Sequence, residues 1–396
     1  MEISHVLETN SRLTDSTSDG VRRFKVAFLG GAYESAVGRV HRTALEMDQH
    51  FELVAGCFSR NKEANKLSAI WYGIDPDRTY NTLVELLLAE TCNIDAIVIL
   101  SPQDQHAQHI LACLDAEVPV ICEKALVATV DEAVSIQKKL SSNNGFLVVI
   151  SNYTGYPILR ELKHMIEQNV FGSIQQLHME MPQEGFSRLD ADGAPVIPQE
   201  WRLRDGPIPT ISLDLGVHLH MMARFLTGER PNEVIAVSDS NGNFKQVTDN
   251  VSCLIKYSNN LNCNVWYSKT ALGYRNGLKL RVFGEKGSAE WVQENPEYLQ
   301  MADDSGGRFI IDRASKGIKI ANQSRYTRFK AGHPAGFIEA FANYYYDIAN
   351  ALECYLTGNC CFKHEYIFSI DESLEGLRML NAIAKSSIRK CWETVA

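Results

Sequence analysis

Three residues of this chain have the types and settings for proton and charge chemistry: Lys124, Asp214 and His218. Lys124 closes the stretch Val120-Ile121-Cys122-Glu123-Lys124-Ala125, an apolar run of strand type that ends in a charged pair. In open α/β sheets, ligands bind outside the carboxyl ends of the strands, so a lysine delivered there faces a crevice. A solvated pair closing a strand has the same six-residue signature, and the surroundings must decide between the two. Asp214 and His218 lie four apart in the apolar stretch Pro207 to Gly228. On a helix they share a face. An acid and an imidazole so placed can hold one substrate jointly, and histidine titrates where proton transfer is useful. His220 is two residues further, about 200° round a helix, and faces away from His218.

The elements that must position these residues are legible in order. Phe24 to Leu29 reads as a buried strand. It runs into a glycine-rich turn, Gly30 to Gly38, and then a helical stretch through Met47. Strand, glycine turn and helix open a dinucleotide-binding unit, in which glycines let the backbone approach a pyrophosphate resting on the helix N-terminus. Gly30, Gly31, Ala32 and Gly38 are therefore candidate cofactor residues. The pattern G-x-G-x-x-G is not literal: Ala32 stands where a second glycine is expected, and Glu34 puts a carboxylate in a phosphate loop. Phe51 to Phe58 reads as a second strand, followed by Ser59 and Arg60. An NAD site usually offers Asp or Glu here, whereas arginine accommodates a 2′-phosphate, so the reading leans from NAD towards NADP. Ile94 to Leu100 is an unbroken apolar run that ends in Ser101-Pro102, with His106 one turn into the next helix. Phe146 to Ile150 is one more strand. Strands alternating with helices mean parallel βαβ units. Right-handed crossovers put Gly30, Ser59, Ser101, Lys124 and Asn152 on one rim.

After Ile150 the pattern changes. A helix over 157–169 precedes alternating strands at 174–181, 233–238, 251–257, 262–268, 278–283 and 289–293, then helices over 335–356 and 370–390. This is a large, mostly antiparallel sheet of a different class from the first half. The expected fold is thus α/β plus α+β: a Rossmann domain over 21–150 and a substrate-binding and oligomerisation domain over 151–396. Residues 1–20 are expected to form a loosely ordered arm. The C-terminal helices are expected to pack back on the first domain. Loops 182–207 and 304–332 are expected to carry specificity, the second of them lying over the site. An exposed antiparallel face implies a homodimer or homotetramer.

Composition narrows the class. A length of 396 residues favours two domains. A net charge of −9 argues against nucleic acid. No apolar run approaches the roughly 18–20 residues of a membrane span. Ten irregularly spaced cysteines and no recognisable signal segment suggest reduced, cytoplasmic thiols. His106 with His109, and His218 with His220, lack a third ligand nearby, so no metal site is expected.

Taken together the pieces resemble the glucose-fructose oxidoreductase / inositol dehydrogenase / rhizopine catabolism (Gfo/Idh/MocA) family over residues 23–390. The family's Glu-Lys-Pro is matched by Glu123-Lys124, with Ala125 replacing proline. Its Asp-x-x-x-His is matched by Asp214 to His218, and its Thr-Pro-x-x-x-His by the Pro102 to His106 segment. Asn152 to Pro157, Gly332-His333-Pro334 and Glu339-Ala340-Phe341 resemble one branch of it. The resemblance implies hydride transfer between nicotinamide and a sugar or cyclitol carbon. His218 would be the acid/base, Lys124 would hydrogen-bond the reacting oxygen, and Asp214 would orient the substrate. Tyr153, Arg160, Trp201, Arg202 and His333 are weaker candidates for lining the substrate site. The same family also contains chemistry in which the cofactor is oxidised only transiently, as in NAD-dependent glycosidases or sugar lyases. A non-catalytic nucleotide sensor is the third reading, kept open by the altered glycine loop.

Overall fold

The computed structural model describes residues 22–358 and 365–396. The expected arm over 1–20 lies outside the described residues, as does the Cys360-Cys361 pair. The chain begins with a five-stranded parallel sheet made of β1 (Phe24–Gly30), β2 (Phe51–Cys57), β3 (Ala96–Leu100), β4 (Val120–Cys122) and β5 (Leu147–Val149). Its order is β2-β1-β3-β4-β5. The three central strands are buried on both faces, which is why β3 reads AIVIL without alternation. Between them run α1 (Ala36–Met47), α2 (Lys62–Tyr72), α3 (Leu83–Glu90), α4 (His106–Asp115) and α5 (Val130–Asn143). Their starts are set locally. Ser35, Asn61, Thr82 and Thr129 each accept a hydrogen bond from a first-turn amide, and Thr129 with Glu132 completes a capping box.

Beyond α6 (Pro157–Glu167) and β6 (Ile174–Pro182) the chain forms α7 (Val217–Thr227) and then a strand series. The series is β7 (Pro231–Asp239), β8 (Asn250–Tyr257), β9 (Asn262–Ser268), β10 (Lys279–Gly284), β11 (Gly287–Val292), β12 (Leu299–Asp303) and β13 (Arg308–Ile311). Two long helices follow, α8 (Phe337–Leu356) and α9 (Ile370–Arg389), and a short β14 (Glu393–Thr394). The second sheet has the order β13-β12-β11-β10-β6-β9-β8-β7-β14, antiparallel except where β6 meets β9. Alternation is visible along β8 and β9, whose inward residues Val251, Cys253, Ile255, Cys263, Val265 and Tyr267 are buried. No helix among the described residues is long and apolar enough to cross a membrane.

The C-terminal helices do return to the first sheet. Tyr344 on α8 donates to the carbonyl of Val149 at 2.7 Å, and the Phe368 amide donates back to Tyr344 at 2.9 Å. Tyr345 reaches the buried ring of His41 on α1 at 2.6 Å. Residues 304–332 are not a cover over the cleft. They carry β13 and then fold onto the body of the protein, where Glu161 on α6 accepts from the amides of Lys319, Ile320 and Ala321.

Candidate active site

The rim predicted from strand ends is a cleft of about 740 Å³. Gly30 and Gly31 line it after β1, Ser59 and Arg60 after β2, Ser101, Pro102 and His106 after β3, and Glu123 and Lys124 after β4. From the second half of the chain come Gln199, Trp201, Arg202, Leu213 and Asp214. Asn152, expected on this rim, is instead buried in the turn Asn152–Gly155, and its Nδ2 meets no hydrogen-bond partner among the described residues.

The glycine turn is built for close approach. Gly30 and Gly31 have φ of +88° and +70°, where a side chain is strained. A Cβ on Gly38 would sit 2.1 Å from the Gly31 carbonyl oxygen, so this glycine lets α1 pack directly on the turn. Gly38 and Ala32 therefore shape the turn rather than line the cleft. Ser35 caps α1, and no acidic residue occupies its first turn. Ser35 and Val37 put the N-terminal end of α1 in the cleft lining, where the helix dipole suits a pyrophosphate. Glu34 does not intrude: it is exposed, accepts from the Tyr33 hydroxyl at 3.0 Å and is absent from the cleft lining. The Tyr33 amide is tied to Ser68 at 3.0 Å and its ring packs on Trp71, drawing this part of the loop over α2. These features fit a dinucleotide.

His106 staples the rim. Its Nε2 lies 2.8 Å from the carbonyl of Ser101 and its Nδ1 3.1–3.2 Å from those of Leu126 and Ala125, and a neutral ring donates to one side only. Burial pushes its imidazole below the usual range. Beside it, the Lys124–Ala125 peptide is cis.

Lys124 and Asp214, 90 positions apart, meet in the cleft. Lys124 Nζ donates to Asp214 Oδ1 at 3.1 Å and to the Asp214 carbonyl at 2.9 Å. Arg202 Nη1 and Lys269 Nζ both meet Asp214 Oδ2, the lysine at 2.8 Å. Burial alone would raise the Asp214 carboxyl, but these three cations hold it well below the carboxylate range. Burial lowers the Lys269 ammonium, and Asp214 opposes that shift. Glu123 is held from behind: His41 Nε2 lies 2.8 Å from its Oε1, and its Oε2 accepts from the Lys124 amide at 2.9 Å. A carboxylate only accepts, so a neutral His41 donates from Nε2 and accepts the Tyr345 hydroxyl at Nδ1. Burial would raise Glu123, yet the hydrogen bond from His41 and the neighbouring Lys124 pull it down.

Asp214 sits not in regular α-helix but in a π-turn, Ser212–Gly216, that leads into α7. His218 follows on α7, buried, with its ring edge-on to Tyr153 at 4.7 Å. Its Nδ1 is buried without a hydrogen-bond partner among the described residues. Burial drives its pKa well below the imidazole range, Lys124 pushes the same way and Asp214 opposes. Tyr153, expected to line the substrate site, is buried outside the cleft lining, with its hydroxyl accepting from Asn276 at 3.1 Å.

Two further expected substrate residues also lie outside the lining. Arg160 is fully buried in α6, where it pairs with Asp347 at 2.6 Å and donates to Tyr326 at 2.8 Å. Its charge serves packing between α6 and α8, not the cleft. His333 is exposed beyond the lining; its ring packs on Phe329 and its carbonyl accepts from Arg313. Conversely, Lys269, His41 and Tyr345 escaped the reading of the sequence. Lys269 does follow a strand end directly, but nothing in one dimension says that its carboxylate partner is Asp214.

A parallel sheet with a glycine turn, its strand-end Lys124 set against Asp214 from the second half of the chain, defines a nicotinamide-dependent oxidoreductase; His218 follows on α7, buried just outside the cleft lining. Residues 24–151 match the model of the oxidoreductase family with an NAD-binding Rossmann fold, and residues 159–290 that of the GFO/IDH/MocA C-terminal domain. The crystal structure of an oxidoreductase from Sinorhizobium meliloti is 30% identical, covers 94% of this chain and 99% of its own, and superposes with a TM-score of 0.81. An inositol dehydrogenase homologue from Azotobacter vinelandii, crystallised with NADH and myo-inositol, is 27% identical over 94% of this chain and 98% of its own, with a TM-score of 0.85. The uncharacterized oxidoreductase YfiI of Bacillus subtilis is 28% identical over 91% of this chain and 94% of its own. The chain belongs to the Gfo/Idh/MocA family, and its first half is an NAD-binding Rossmann fold.

Proposed function

We propose that the protein is a dehydrogenase or reductase acting on a hydroxyl or ketone carbon of a sugar or cyclitol. The observation that carries this is the Lys124–Asp214 contact, which joins the end of β4 to the second half of the chain inside the cleft. Gly30, Gly31, the α1 N-terminus, Ser59, Arg60, Ser101, Pro102 and His106 would hold the cofactor. When bound, the nicotinamide supplies or accepts the hydride. Lys124 donates a hydrogen bond to the reacting oxygen and stabilises the negative charge that develops on it. His218, kept neutral, takes the carbinol proton in the direction of oxidation. Asp214, kept ionised, orients the lysine and arginine that face the substrate. Trp201 and Arg202, which line the cleft, would form its substrate end. That an inositol dehydrogenase homologue of the same fold was crystallised with myo-inositol supports a polyol substrate.

At the ribose end Ser59 and Arg60 stand where an acidic residue would select NAD, which favours NADP. The outer face of the second sheet, with Ile235, Val237, Leu254 and Trp266 in one groove, supports a homodimer or homotetramer through that sheet. The eight described cysteines are all free, in keeping with a cytoplasmic setting. The test is turnover of NADH, NADPH and their oxidised forms against inositols, aldoses and glycosides, followed at 340 nm (roughly the reduced-nicotinamide band). Net cofactor oxidation or reduction with a neutral or charged polyol supports the reading. Glycoside cleavage without net change supports the transient-oxidation alternative and removes this one.

A further inference from the structure

The substrate end of the cleft carries more positive charge than it can balance. Lys124, Arg202 and Lys269 all converge on the one carboxylate of Asp214, three cations against one anion. Glu123 faces the group from β4 and offsets one further charge, though it is already engaged by His41 and by the Lys124 amide. One positive charge remains, in a protein whose formal net charge is −9. Excess charge of one sign in a concave, partly desolvated site attracts a ligand of the other.

Arg202 is the cation built to receive it. Only its Nη1 is engaged, on Asp214; among the described residues Nε and Nη2 have no hydrogen-bond partner. Its guanidinium lies over the Trp201 ring at 4.3 Å, which fixes the plane of the fork. A planar guanidinium with free donors pairs bidentately with carboxylate or phosphate, which a lysine cannot do. Lys269, by contrast, is buried behind Asp214 and also held by Gln183 at 2.9 Å. Its charge stays in place when Arg202 turns to a ligand. Because Lys124 and Arg202 occupy the two oxygens of one carboxylate, an anion on Arg202 lies close to the oxygen held by Lys124.

Resting on the dehydrogenase reading above, we propose that the substrate is a sugar or cyclitol bearing an anionic group near the reacting carbinol, and that Arg202 receives that group. The NADH-loaded full-length protein is titrated calorimetrically with D-gluconate, D-glucuronate and glucose 6-phosphate, and with their neutral parents glucose and myo-inositol. An acid is expected to bind about 10- to 100-fold tighter than its parent, the range for a hydrogen bond to a charged group. The carboxylate and phosphate arms tell the two anions apart. In Arg202→Met, with unchanged thermal unfolding, the ratio of anionic to neutral affinity collapses towards one; in Arg202→Lys it falls in between. Equal or tighter binding of the neutral parents, or no binding of any acid, overturns the inference. Turnover of a neutral polyol in that case leaves the dehydrogenase reading standing. Failure of both NADH and NADPH to bind removes that reading and this inference with it.

Discussion

Replacing Lys124 or His218 by alanine is expected to lower kcat by about 100- to 10,000-fold, the usual worth of a positioned proton-transfer group. Neither belongs to the glycine turn or the α1 N-terminus proposed to seat the dinucleotide, so NADH affinity by fluorescence titration should stay within about threefold. Near wild-type turnover in both variants would remove them from the chemistry. The environment of His218 also sets the pH dependence. Burial and Lys124 hold its pKa well below 6.5, so the ring stays neutral where a free imidazole would charge. The acid limb of kcat/KM in the oxidation direction is therefore expected below pH 6.5. A limb centred on the ordinary imidazole value would contradict that. Stability follows the same sign. His220 is lowered to about 4, so below about 6.5 the unfolded chain binds a proton that the folded one refuses. The stability is fully present above that value and declines as pH falls towards 4, by up to about 1.4 kcal/mol per pH unit. Urea melts across this range should show the slope, and His220→Gln should flatten it.

At the scale of elements, the contact between α1 and the glycine turn is the most exacting. Gly38→Ala would place a methyl 2.1 Å from the Gly31 carbonyl oxygen, backbone that has little room to yield. Overpacking of this kind costs about 1–3 kcal/mol. It should also displace the N-terminal end of α1, so NADH affinity should fall at least about tenfold. Unchanged NADH binding would mean that this helix end does not hold the cofactor. The strand–turn–helix itself could be read directly, because buried parallel strands are near-continuous apolar runs and their turns need glycine. The antiparallel strands of the second half were legible for the complementary reason, alternation along β9 (Asn262–Ser268). Glu34 looked hostile to phosphate because a sequence gives position along the chain and not direction; Tyr33, tied to Ser68 and Trp71, carries it outward. Arg160 was misplaced for a related reason. A charged residue on an amphipathic helix looks solvent- or ligand-facing until a buried partner, here Asp347, comes from 187 positions away.

For the whole molecule, that buried pair ties α6 to α8 and gains a second cation from Arg325 at 2.7 Å. Arg160→Ala removes one of the two cations on a buried carboxylate, leaving Asp347 to Arg325 alone, and is expected to cost about 3 kcal/mol in chemical denaturation, the lower end for a broken buried pair. The kcat/KM of the folded fraction should remain within about threefold, since no substrate contact is lost. A selective rise in KM with normal stability would return Arg160 to the substrate site. The proposed assembly belongs to the same scale. Leu254→Arg together with Trp266→Arg puts charge on the outer sheet face and should shift sedimentation from dimer or tetramer to monomer. The contact between Tyr345 and His41 bears on synthesis as well. The two residues are 304 positions apart. At about 5–20 residues per second, the ribosome takes roughly 15–60 s between making one and the other. Through that interval the nascent nucleotide-binding half lacks the helix that covers α1 and completes the support of Glu123. Its apolar flank must wait for α8, so the cleft can reach its final form only after that helix has been made.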